Sequence, residues 1–174
     1  MRLKGRFHMK TVAGLLISTF FIAASVASLQ AQTWDKQMNS LGRFEVLRQF
    51  NDEAVLDKET GLVWQRSPDT EWQPYSVAAF RCILGPIGGR RGFRLPAVHE
   101  LASLVDPSRT DLALPPGHPF QNIVGTYYWS ATTDAGDPTR VWTLEFGVGG
   151  PEPNFRSDSW RFWCVRSGQG IDTQ

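Results

Sequence analysis

The sequence predicts an α+β fold, with its helices segregated from its strands. Short apolar runs at period two open and close the folded part, and a helical period occupies the middle. Gly 16 and Pro 11 break the chain too often for a helix bundle. A hydrophobic fraction of 41% with 20% charged residues is globular rather than disordered.

The chain has 174 residues, and its first 31 read as a secretory signal peptide. Arg2, Lys4, Arg6 and Lys10 form its basic zone, followed by an apolar stretch from Val12 to about Ala27 and small residues before Gln32. Met9 is a second candidate start, because Met9-Lys10 leads directly into the apolar run. That run, diluted by Gly14, Ser18, Thr19 and Ser25, is short for a membrane anchor, so no span is expected after cleavage. The expected location is the periplasm or the cell exterior. Residues 32–42 form an N-terminal extension, 43–168 the domain and 169–174 a tail. Whole-chain charge is +1, but the signal has four bases and no acids, leaving 14 basic and 17 acidic residues, a net of −3. That balance excludes a binder that neutralises nucleic acid.

Arg43-Phe44-Glu45-Val46-Leu47 reads as a strand. Ala54–Asp57 and Leu62–Gln65, joined by Lys58-Glu59-Thr60-Gly61, read as a hairpin. Residues 66–74, with Pro68 and Pro74, read as loop. Tyr75, Ala78, Ala79, Cys82 and Ile83 then share one helix face, and the helix ends at Gly85-Pro86. After a turn-rich stretch, a second helix is predicted from about Pro96 to Val105, with Val98, Leu101 and Val105 inward and Ala102 and Leu104 beside them. Glu100 supplies one half of a capping box whose other half is missing at Ala97. Residues 106–126 are loop, followed by strands at Tyr127–Thr132, Val141–Phe146 and Phe162–Arg166. In the middle one, Trp142, Leu144 and Phe146 form an apolar face, and residues 147–161 read as a long loop.

Cys82 and Cys164 are the only cysteines. An oxidising compartment favours pairing them. The alternative, a metal or catalytic thiol, has no recognisable zinc spacing with His99 and His118.

Several motifs occur together in one order: Val55-Leu56-Asp57-Lys58-Glu59-Thr60-Gly61-Leu62-Val63-Trp64-Gln65-Arg66, then Phe93-Arg94-Leu95-Pro96 with Glu100-Leu101, then Gly117-His118-Pro119-Phe120. Tyr128-Trp129-Ser130-Ala131-Thr132-Thr133 and Trp163-Cys164-Val165-Arg166 complete the series. Over residues 43–168 the chain resembles the bacterial Lcl C-terminal domain family, a domain of unknown function named after a collagen-like surface adhesin. The resemblance implies a C-type-lectin-like fold, two helices packed on small antiparallel sheets with long loops. It also implies a disulfide from the first helix to the final strand, where Cys82 and Cys164 sit. An exported binding module is the implied role, with sulfated polysaccharide as the ligand described for the adhesin. Phe93 stands where the family commonly has Trp, Ala97 replaces the usual cap, and no collagen-like repeat is present. A single domain lacks the avidity of a trimeric stalk.

Aromatic faces can stack on sugar rings. Of the tryptophans, Trp64, Trp129, Trp142 and Trp163 lie in strand patterns or family motifs and are assigned to the core; Trp72 and Trp160 lie in loops and are ligand candidates. The guanidinium fork suits sulfate and carboxylate, which makes Arg90, Arg91, Arg156 and Arg161 candidate contacts, with Arg94 and Arg166 structural. Glu152-Pro153-Asn154 resembles a calcium-lectin triplet, but no Trp-Asn-Asp follows, and it reads as a chance match. No catalytic set, metal site or cofactor is expected: His118 is boxed by prolines, and His99 is a helix surface residue beside Glu100. An enzyme related to formylglycine-generating proteins would need active-site cysteines that are missing. The expected function is a non-enzymatic domain binding glycan at its loop surface, with a structural or protein–protein module of the envelope as the alternative.

Overall fold

The computed structural model describes residues 40–109 and 111–168. The signal peptide, Trp34 and the C-terminal tail therefore lie outside the described residues. A single turn, α1 (Ser40–Arg43), leads into β1 (Phe44–Val46). The predicted hairpin follows as β2 (Ala54–Asp57) and β3 (Leu62–Gln65), paired antiparallel with Val55 opposite Trp64. Its turn is closed by Asp57, whose carboxylate accepts the Glu59 N–H and the Thr60 hydroxyl. Gly61 takes the left-handed conformation there, with φ +70°.

The predicted loop at 66–74 ends in a two-residue strand, β4 (Gln73–Pro74), before α2 (Tyr75–Leu84). Ala78 and Cys82 are fully buried on α2, as its periodicity predicts, but Ile83 is 57% exposed. At 3.6 residues per turn Ile83 lies about 80° round the helix from Tyr75, outside the narrow stripe that a ten-residue helix buries. The second helix is shorter than predicted: α3 (Val98–Ala102) buries Leu101, while Ala102 faces outward. Glu100 accepts the Ala97 N–H at 2.7 Å, the half of the cap the sequence provides. At this helix start Thr132, from a distant strand, accepts the Val98 N–H at 3.0 Å.

The late strands are β5 (Tyr127–Thr133), β6 (Arg140–Glu145), β7 (Gly150–Phe155), β8 (Ser159–Phe162) and β9 (Val165–Ser167). Two predictions fail here. Residues 147–161 are not one loop: β7 pairs with β6 along its full length, its prolines tolerated because it is an edge strand. Nor is Phe162–Arg166 one strand, because Trp163 and Cys164 step the chain from one sheet to the other. The first sheet has the order β1-β2-β3-β9, all antiparallel. The second runs β4-β8-β5-β6-β7 and is antiparallel except between β5 and β8. That parallel pair departs from the expected antiparallel sheets, since β8 returns beyond the β5-β6-β7 meander to β5's other edge. The coarse prediction holds: the domain is α+β, two helices with two mostly antiparallel sheets.

A disulfide joins Cys82 of α2 to Cys164, with Cα atoms 5.4 Å apart. Around it Phe50, Val63, Ala78, Phe93, Trp129 and Phe162 make one core cluster. A second gathers on Trp163, whose indole N–H donates to the Gln65 carbonyl at 2.6 Å. Phe120 and Trp64 pack on that indole at centroid distances of 4.7 and 5.3 Å. Trp64, Trp129 and Trp163 are core residues, as predicted; Trp142 is only half-buried. The alternation expected of β6 breaks down because both faces of the sheet are covered: Val141, Thr143 and Leu144 are all fully buried.

Candidate functional site

Side chains of paired residues share a face of a sheet, so the registers decide what β8 presents. Tyr128 pairs with Arg161 and Gln73 with Trp160, which puts Trp160 and Tyr127 on one face and Arg161 on the other. Trp160 packs at a tilt against Trp72, with centroids 5.6 Å apart, and edge-on against Tyr127 at 4.7 Å. Trp72 is 50% exposed and Trp160 partly so. The three rings make a ledge beside α2, which covers the same face further along at Trp129 through Tyr75.

The two tryptophans singled out in the sequence thus meet, though Trp160 lies on a strand rather than in a loop. Tyr127 was missed. Its only signal in the sequence is the strand pattern at Tyr127–Thr132, which does not show that β8 lies beside it.

Beyond Tyr127 the ledge becomes acidic. Glu145 pairs directly with Tyr127, and the Tyr127 hydroxyl donates to Glu152 of β7. This hydrogen bond, with partial burial and the charges of Glu152 and Glu145, pushes the Tyr127 phenol pKa up. Glu145 directs its two oxygens to the Gly147 and Val148 N–H groups. Asn154, the other polar member of the lectin-like triplet, donates its amide to the Thr143 hydroxyl at 2.8 Å. Among the described residues no group of three His, Cys, Asp or Glu is placed to hold a metal ion.

The candidate arginines do not converge on the ledge. Arg156 lies over the Tyr75 ring at 4.4 Å and donates to the Thr133 hydroxyl and the Pro138 carbonyl. Arg161 faces the other side of β8 and donates to the Asn122 carbonyl at 3.3 Å. Arg90 sits over Phe50 at 5.0 Å and donates to the Gln49 carbonyl. Arg91 is exposed, its carbonyl accepting from Arg166. Arg94 is structural, as predicted, clamping Glu100 with two hydrogen bonds of 2.7 Å. The fit of the guanidinium fork to sulfate and carboxylate singles these residues out, but it does not reveal which guanidinium groups the protein itself engages.

His118 is half-buried against Phe120, and burial lowers its pKa. A separate groove of about 420 Å³ involves none of the ledge rings; Phe80, Arg81 and Leu84 of α2, Ile87 and Phe162 line it. Val77, Phe80, Ile83 and Leu84 give α2 an exposed apolar stripe beside it. Arg81 at its rim is paired with Asp69 and Glu71. Among the described residues no helix is long and apolar enough to cross a membrane.

No curated protein matches the chain. The family model of the Lcl C-terminal domain matches residues 53–166, a stretch that includes the whole second sheet, the β2–β3 hairpin of the first, the disulfide and the whole ledge, and the chain belongs to that family.

Proposed function

We propose that this protein is an exported, non-enzymatic binding domain of C-type-lectin-like architecture, and that its ligand is a glycan stacked on Trp72, Trp160 and Tyr127. The carrying observation is the ledge itself: a half-exposed indole just before β4, continued by two further rings on β8 and β5. The apolar C–H faces of sugars suit such rings, and holding Trp160 and Tyr127 on strands limits the entropy lost on binding. A disulfide spanning two core elements accords with export to the periplasm or the cell exterior. The ledge supports a glycan in general. Sulfated polysaccharide draws support only from Arg90 and Arg91, which share no contact with the ledge rings.

A glycan array probed with residues 32–174, with and without calcium, tests the reading. Binding that disappears in Trp72→Ala, with folding intact, is the expected result. Silence across the array would remove the glycan role. The apolar stripe of α2 favours a second reading, a protein-interaction module of the envelope. Binding to an envelope protein that needs Phe80 but not Trp72 would favour that module.

A further inference from the structure

We infer that the glycan taken by the ledge carries free amino groups, its ammonium meeting Glu152 while a neighbouring ring stacks on Trp72 and Trp160. The inference rests on the glycan reading above and adds the charge of the ligand. Glu152 is exposed, uses one carboxylate oxygen to accept from Tyr127, and is in no ion pair among the described residues. Glu145 adds a second negative charge beside the same phenol and spends its hydrogen bonds on backbone N–H groups rather than on a cation. At the other end, Glu71 and Asp69 neutralise Arg81 instead of leaving it for a ligand. Arg156 is held over Tyr75, and Arg161 points to the other face of β8. The ledge is therefore an aromatic surface ending in uncompensated negative charge. Sulfate or uronate would be repelled there, whereas an ammonium gains from the carboxylate and from the faces of the rings.

The row has the extent of more than one sugar: Trp72, Trp160 and Tyr127 follow one another at 5.6 and 4.7 Å, and Glu152 stands beyond the last ring. An oligosaccharide can thus stack at one end and place an amino group at the other.

Calorimetric titration of residues 32–174 with three probes tests the inference: a de-N-acetylated chitotetraose, its fully acetylated form and a heparin tetrasaccharide. We expect the amino form to bind roughly five- to tenfold tighter than the acetylated one, with the margin shrinking in salt. Glu152→Gln should erase that margin and leave the affinity for the acetylated sugar unchanged. Trp72→Ala should weaken both forms alike, and melting measurements confirm that each variant is folded. Equal affinity for the first two probes, or tighter binding of heparin, overturns the inference and leaves the glycan reading in place. Failure of all three sugars to bind overturns the inference, and silence across the glycan array as well overturns the glycan reading.

Discussion

Arg43 and Asp57 meet in a two-pronged ion pair, Nε to Oδ1 at 2.8 Å and Nη2 to Oδ2 at 2.7 Å, with the Asp57 side chain wholly buried. Arg43 also donates to the Ser103 carbonyl just beyond α3 and pairs with Glu59, so one guanidinium ties the first hairpin to the second helix. Removing one partner leaves the other charged and buried. Asp57→Ala should therefore cost about 3–5 kcal/mol in denaturant unfolding, and adding Arg43→Met should cost little more. A single-variant loss below about 1 kcal/mol would show that the pair is merely superficial.

The Cys82–Cys164 bridge closes a sequence separation of 82 residues. In the chain-entropy account, a closure of that length stabilises by roughly 4–5 kcal/mol. Cys82→Ser with Cys164→Ser should lower the melting temperature sharply. A transition indifferent to reductant would remove the bridge from the stability of the fold.

Gly88 approaches Phe50 closely enough that a Cβ would lie 2.2 Å from its carbonyl oxygen, and its φ is +59°. Gly89 also has a positive φ, +74°, but open space around it. Gly88→Ala should cost at least about 2 kcal/mol and Gly89→Ala about 1 kcal/mol, because only the first adds a backbone clash to the left-handed strain. Equal losses at the two positions would show that the clash at Gly88 relaxes freely.

Glu100 is pulled two ways: partial burial raises its pKa, but Arg94 and the Ala97 N–H outweigh burial and hold the carboxyl below its ordinary value of 4.5. A carboxylate lowered in the folded state adds stability above the unfolded value, and that stability is lost as pH falls through the folded one. Glu100→Gln should consequently be less stable than the parent at pH 7, with the difference narrowing as pH drops below 4.5. A constant difference across an acid titration of the melting temperature would assign the effect to packing instead.

Local signals made much of the fold legible. The hairpin around Lys58–Gly61 and the α2 stripe ending at Gly85 are short-range patterns, and both stand in the structure. β7 was hidden because Gly150-Pro151-Glu152-Pro153 reads as a loop, and only its place on a sheet edge lets such a sequence be a strand. The ledge was half legible. Trp72 and Trp160 stood out as tryptophans outside the core patterns, whereas Tyr127 and Glu152 join them through strand pairings that no local window contains. For Arg156 and Arg161 the converse holds: their partners Thr133, Pro138 and Asn122 are distant in sequence and invisible to spacing.

The pairing of β3 with β9, Leu62 against Ser167, carries a consequence for biogenesis. A polypeptide emerging N-terminus first must keep the outer edge of its early hairpin unsatisfied until nearly all of the domain has been delivered. The second sheet waits as well, since β4 and β5 are bridged by β8. Neither sheet can therefore be completed before β8 and β9 have been made, and closing them depends on long-range contacts, which form slowly.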